Sequence, residues 1–456
     1  MRFPAELAVT IPRRWAWVLG IGVALLVALL VWLLLAGRGV ASSAQETARG
    51  AVEAAQRRLM GPVPPRGAEV PVAGGPGGQS PRGADEYEIC GGMWVKANAD
   101  GNLDDETLKG AMRRDEAFQA VARSLATDAR PVARAALLIL QAMDGGDDRR
   151  RALMASTAGC GPECPQSAGL PASALDAVAS ARDSLARFAA STSDPAAYAF
   201  AFRLCGSGRI RSGPCGLLSA EQWARLDPGN AAPWLEVFDQ AQARKDSAAV
   251  NEALHRIATS QRSDQRYFEL PGLLIDAAAG DASLSNGVFL LASESLGYSA
   301  AWTLPGYQPL VSACRRDALR DSNRRQTCDA IAELMAERSD TLIERAIGGA
   351  VGRQLGWPDE RIERMRAEQS AFGESAGFAG IEPRELLGCA AIKRVTDELR
   401  RKARLGEVGA MREWLAHDAP RPDELLRRYR AQQREDAERS KGVAAGQEAS
   451  AASTPG

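Results

Sequence analysis

Few side chains in this sequence are placed to do chemistry. Gly373-Glu374-Ser375-Ala376-Gly377 sets a serine between glycines in a G-x-S-x-G spacing, which can bare a hydroxyl for attack on an ester. Its general base would have to be His417, because the chain holds only two histidines, His255 and His417. A polar helical run at 361–370 leads into the serine, where a hydrophobic strand would be needed. The 373–377 stretch is therefore read as a flexible glycine/serine loop, and His255 as an ordinary packed or surface side chain. Zinc would need cysteine ligands, and no C-x-x-C pair exists. Residues 98–104 (NADGNLD) suggest a calcium loop, but aligning the glycine puts Lys96 at the first ligand position and Thr107 at the twelfth, where a carboxylate belongs. A turn is the reading there. No glycine fingerprint for nucleotide phosphates is present. The sequence thus predicts no catalytic residue, no metal ligand and no cofactor.

The GESAG pentapeptide resembles the nucleophile elbow of α/β-hydrolases in a form found in some esterases. That resemblance implies an envelope serine esterase using Ser375 and His417, and it is kept as an alternative. Against it stand the missing HGGG-like segment and the absence of alternating strand and helix patterns.

Eight cysteines all fall between Cys90 and Cys389. An even set of this kind suits an oxidising compartment. Eight thiols allow 105 pairings, so proximity along the chain is the only guide. It pairs Cys160 with Cys164, Cys205 with Cys215 and Cys314 with Cys328, leaving Cys90 with Cys389.

Residues 15–36 (WAWVLGIGVALLVALLVWLLLA) carry no charge for twenty-two positions. At 1.5 Å per helical residue such a run spans about 33 Å, enough for a hydrocarbon core of roughly 30 Å. Trp15, Trp17 and Trp32 lie near its ends, and Arg13, Arg14 and Arg38 fence it. It is read as an uncleaved transmembrane helix, being longer than a signal-peptide core. Residues 1–14 form a cytoplasmic tail in this reading, and 41–60 a juxtamembrane helix. Residues 61–83 hold six prolines and seven glycines and read as a flexible linker. The body, 84–441, then lies in the periplasm, and 442–456 is a small-residue tail expected to be disordered. Gly20, Ala24 and Ala28, spaced by four, could seat a homodimer within the membrane.

The body is expected to be all-α. Aromatic residues make up 5% of the chain, and alanine, arginine, leucine and glutamate fill helices better than strands. Residues 88–96 are a short extended exception, and 145–151 a charged loop. Apolar residues recur at helical spacing from Leu108 to Leu125, Val132 to Met143, Leu175 to Phe188, and in later segments. Gly348, Gly352 and Gly356 share a helix face and predict close approach of another backbone. Residues 226–260 (LDPGNAAPWLEVFDQAQARKDSAAVNEALHRIATS) resemble one tetratricopeptide repeat in their LDPxN entry, Trp234, the polar turn at Arg244-Lys245-Asp246 and the alanine-rich second helix. Ala241 departs from that pattern, as does Arg262, and no second copy follows at the repeat's period. The resemblance implies irregular helical hairpins of a kind that stack into concave binding surfaces.

Fifty-six basic and fifty-seven acidic side chains give a net charge of −1, which argues against a nucleic-acid partner. The leading expectation is a single-pass bacterial inner-membrane protein presenting a disulfide-bearing helical scaffold to another envelope protein or peptide. A cytosol-facing regulatory scaffold is the third reading.

Overall fold

A computed structural model of the chain describes residues 86–90, 93–96, 110–157, 172–206, 212–300, 305–375 and 387–452, together with 381 and 385. The uncharged run at 15–36 read as a transmembrane helix, the stretch at 61–83 read as a linker, the stretch at 98–104 read as a turn, Cys160 and Cys164 lie outside the described residues. Among the described residues, no helix is long and apolar enough to cross a membrane.

The chain divides into two units, Met1–Met112 and Arg113–Gly456. In the first, β1 (Glu86–Ile89) and β2 (Met93–Lys96) form an antiparallel hairpin with Tyr87 opposite Val95 and Glu88 opposite Trp94. The extended segment expected from its β-prone residues is thus two short strands that pair with each other.

The second unit is helical. Fifteen α-helices are described: α1 (Arg114–Thr127), α2 (Pro131–Thr157), α3 (Ala172–Ser191), α4 (Pro195–Leu204), α5 (Ala220–Leu226), α6 (Ala232–Arg244), α7 (Ser247–Thr259), α8 (Glu269–Ala277), α9 (Ser285–Ala300), α10 (Tyr307–Ala313), α11 (Ser322–Arg338), α12 (Leu342–Leu355), α13 (Asp359–Ser375), α14 (Cys389–His417) and α15 (Pro422–Ala452). Their starts follow capping chemistry. The side chains of Asp194, Ser219, Asp246, Asp321 and Thr341 each accept a hydrogen bond from a backbone N–H in the first turn of α4, α5, α7, α11 and α12. Neighbouring helices pair as hairpins, α2 with α3, α6 with α7 and α11 with α12.

Three expectations are corrected. The charged stretch at 145–151 is no loop, because α2 runs through it to Thr157. Gly145 and Gly146 cost helix stability but contain nothing that forbids the turn, and no proline interrupts it. Gly373 to Ser375 form the end of α13, where a loop was expected. Helix α15 continues past residue 441 to Ala452, through a run rich in alanine, the best helix former.

The hairpin that resembles a repeat is a helical hairpin. Helix α6 ends where Lys245 adopts φ 57°, and Asp246 caps α7. Phe238, Ala241, Leu254 and Ile257 are buried in its interface, while Trp234 is half-buried under the guanidinium of Arg256, 5.6 Å from the ring centre.

The glycine face of α12 also behaves as its spacing predicts. A Cβ on Gly348 would stand 2.6 Å from Ala336 N and 2.7 Å from Ala332 O, so the backbone of α11 occupies the space a side chain would need. The ring of Trp357 covers Gly352, and Gly356 takes the left-handed C-cap position at φ 87°. Cys314, Cys328, Ala332, Val351 and Leu355 are the buried cluster beneath.

Candidate functional site

Four turns meet along one seam of the helical unit. The 261–266 segment leaves α7 and runs between the turn at 227–231 and the turn at 338–341. On one side Ala231 N donates to Arg262 O (2.8 Å) and Gln261 N to Gly229 O (2.9 Å). On the other, Ser263 N donates to Arg338 O and Asp340 N to Ser263 O, both at 2.9 Å. The fourth turn is a break inside α14 at Gly406, φ 69° and ψ 171°. There Glu407 N donates to Asp340 O at 2.6 Å. A Cβ on Gly406 would lie 2.8 Å from Asp340 Cα, so both its positive φ and its close approach require glycine.

Side chains complete the seam. Asn230 is fully buried; its Oδ1 accepts from Asp264 N (2.8 Å) and Ala232 N (3.0 Å), and its Nδ2 donates to Asp227 Oδ2 and Asp264 O, both at 3.0 Å. Asp227 in turn accepts from Arg262 at 2.5 Å and from Arg266 at 3.3 Å. Here the LDPxN entry acquires a physical role, since its asparagine stitches two loops together.

Behind the turns, Glu344 is enclosed. Its Oε1 accepts from Gln265 Nε2 (2.6 Å), Ser263 Oγ (3.0 Å) and Tyr307 Oη (3.0 Å). Gln265 Oε1 accepts from Arg203, which lies 3.6 Å from Glu236 and over the Trp223 ring. Burial pushes the Glu344 carboxyl above its ordinary range, and its three donors oppose that shift. Burial also raises the Tyr307 hydroxyl well above its usual value, with the Glu344 charge adding to it. At Arg266 burial opposes the charge, but Asp264, Glu269 and Asp227 outweigh it and hold the guanidinium more firmly protonated than usual.

One signal for this centre was present in the sequence. Thr341-Leu342-Ile343-Glu344 has capping-box spacing, in which the glutamate would fold back onto the Thr341 amide. Thr341 does cap Glu344 N at 3.2 Å, but the Glu344 side chain turns inward to the seam. The side-chain partners of Glu344 lie 37 to 81 residues away in sequence, beyond any local pattern.

Beside the seam lies an open hollow of about 500 Å³ between α12, α13 and the last turns of α14. Met365, Met411 and Leu415 supply apolar lining. Its arginines are held by carboxylates: Arg345 by Glu368 (2.6 Å), Arg361 by Glu333 (2.7 Å), Arg364 by Glu360 (2.9 Å) and Arg412 by Glu337 (2.5 Å). Arg345 is itself almost fully buried, and it also donates to Met365 O at 2.8 Å. Arg361, Arg364 and Arg412 are exposed enough to exchange partners at little cost. The chemistry on offer is recognition of a polar chain by exchangeable ion pairs over a small apolar floor.

No family model, curated protein or solved structure matches this chain. The helical architecture is compatible with a helical-repeat-like fold, and no match to a repeat family accompanies it.

The residues singled out from the sequence are scattered relative to this region. Cys205 and Cys215 form a disulfide with Cα atoms 5.6 Å apart at the C-terminus of α4, and Cys314 and Cys328 form another at 5.7 Å beneath α12. Cys90 and Cys389 are each disulfide-bonded. Ser375 is exposed at the end of α13, its Oγ donating to Phe372 O at 3.0 Å, and a helix rather than a strand leads into it. His417 is the exposed last residue of α14, and His255 is exposed on α7. Among the described residues, no group of His, Cys, Asp or Glu side chains could hold a metal ion.

Proposed function

We propose that the chain is a single-pass bacterial inner-membrane protein whose helical unit stands in the periplasm and binds another envelope protein or peptide. The observation that carries the binding reading is the hollow of about 500 Å³, where exposed ion pairs surround methionine and leucine side chains. Exposed pairs of this kind contribute only about 0–1 kcal/mol each, so an incoming chain carrying both charges can replace them without large loss. Met365 and Met411 are buried beneath the hollow, and half-buried Leu415 offers the apolar contact. The uncharged run at 15–36, the proline- and glycine-rich linker at 61–83 and the cysteine set support the placement. The repeat-like hairpin supports a scaffold of the kind that stacked helical pairs provide.

Two experiments test this. A photo-reactive amino acid at Arg364 or Arg412, in the membrane-embedded full chain, should yield a discrete envelope adduct, whereas the same probe at exposed Lys393 should not. Equal labelling from all three positions, or none, overturns the assignment to the hollow. Alkaline phosphatase fused after Lys441 should be active; an inactive fusion overturns the orientation.

A further inference from the structure

Two carboxyl groups converge on a single donor in the seam. Arg266 N lies 3.0 Å from Asp264 Oδ1 and 2.9 Å from Asp340 Oδ2, so the two side chains come within hydrogen-bonding reach of each other. The other oxygen of Asp340, Oδ1, is buried without a hydrogen-bond partner. Two ionised carboxylates repel at that separation, and with both residues partly buried water screens them incompletely. A proton between them turns repulsion into an O–H···O bond.

The neighbouring charges do not relieve the conflict. Arg262 Nε is 3.9 Å from Asp264 and the Arg266 guanidinium 4.0 Å, but both arginines also serve Asp227, and Arg266 serves Glu269 on α8 at 2.9 Å. Glu344 on α12 adds a further carboxyl facing Asp340, and Tyr307 on α10 adds a hydroxyl held protonated by its burial. Arg203 on α4 is engaged with Gln265 and Glu236. From α14 the Gly406 backbone packs against Asp340 and the Glu407 N–H donates to its carbonyl, while the Glu407 carboxyl is turned to Leu342 N.

We propose that Asp264 and Asp340 share one proton and form an acid-set clasp, which ties the 261–266 segment to the 338–341 turn and loosens when the proton leaves. Burial, followed by the Asp264 and Glu344 charges, pushes Asp340 well above the ordinary carboxylate range, in the same direction. A carboxyl whose folded pKa is raised stabilises the fold fully below its unfolded pKa and loses that contribution as pH rises through the folded pKa. The clasp therefore closes on acidification, and the Asp340 and Glu407 amides are the hydrogen bonds it protects.

The test uses the full chain in detergent with carboxyl-labelled aspartate, read by carbon NMR. One aspartate should titrate well above the ordinary value of about 3.9. Unfolding temperature should fall as pH rises through that titration; Asp340→Asn should remove the high-titrating resonance, Asp264→Asn should move it toward the ordinary value, and both should flatten the fall. The proposal is overturned if every aspartate titrates in the ordinary range, or if the slope persists in both variants. Should one variant fail to fold, the labelled native chain and the other variant still decide it.

Discussion

The seam and the glycine face of α12 lie at opposite ends of one chemical scale. At the seam, four turns are joined by backbone hydrogen bonds and by buried polar side chains centred on Asn230, Glu344 and Asp340. On the glycine face, α11 and α12 are held by close backbone approach and by a disulfide set in an apolar cluster. The first depends on every donor meeting its acceptor; the second depends on volume and covalent constraint. A buried polar network loses the whole desolvation penalty when one member goes, whereas an apolar contact degrades in proportion to the atoms removed. The seam should therefore respond to substitution more sharply, and to pH, which the glycine face should ignore.

The largest effect should come from Asn230→Ala. It leaves Ala232 N and Asp264 N, both turned inward, without acceptors at roughly 1–3 kcal/mol each, so a loss of about 4 kcal/mol is expected. Urea unfolding of the variant measures it. A loss below about 1 kcal/mol would mean that water replaces the side chain and that the seam is wetter than its burial implies.

Next is the covalent constraint. Cys314–Cys328 closes fourteen residues, and replacing both cysteines with alanine should cost about 3 kcal/mol. Because this term acts mainly through the unfolded chain, it should be the same at every pH between about 5 and about 9. A pH-dependent cost would show that the two regions are coupled.

How far each region could be read in advance follows from the same contrast. Glycines spaced by four and cysteines close in sequence are local features, so close helix approach at Gly348 was visible before any fold was known. The LDPxN entry announced a turn, but not that Asn230 would reach Asp264 thirty-four residues on. Glu344 contacts Ser263 across eighty-one residues, a pairing with no periodic trace. The break at Gly406 was hidden for another reason: the flanking sequence is strongly helical on both sides, and only contact with Asp340 explains the departure. The stretch at 145–151 misled in the opposite sense, since charge and glycine suggested a loop in a sequence the helix tolerates.

Within the glycine face, the kind of neighbour decides the size of the effect. Gly348→Ala meets backbone atoms of α11, which cannot rotate away, and overpacking of this kind costs about 1–3 kcal/mol against about 1 kcal/mol gained in helix propensity. A net loss of up to about 2 kcal/mol is expected by thermal unfolding. Gly352→Ala meets the Trp357 ring, which can shift only by giving up its exposed hydrogen bond to Asp329 and its contact with Arg361, weaker restraints than a helix backbone, so its loss should be smaller. If the order were reversed, the ring would be the more rigid of the two walls.

The smallest effect, and the one that divides burial from charge pairing, belongs to Glu407. Its Oε2 accepts from Leu342 N at 3.1 Å, at the first turn of α12, while Lys402 Nζ stands 3.8 Å from its other oxygen. A carboxylate is favoured at a helix N-terminus and beside an ammonium group, yet burial outweighs both and raises the carboxyl above its ordinary range. With the folded pKa raised, this group stabilises the fold fully below its unfolded pKa of about 4.3 and less as pH climbs through the folded value. Glu407→Gln keeps an acceptor for Leu342 N but cannot ionise. Near the unfolded pKa the variant should match the native chain within about 1 kcal/mol, and its relative stability should improve as pH rises. Taking the difference between the two chains at each pH cancels the Asp264–Asp340 contribution, which both retain. If glutamine instead falls further behind with rising pH, Lys402 stabilises the ionised glutamate more than burial penalises it, and the break at Gly406 is held by an ion pair.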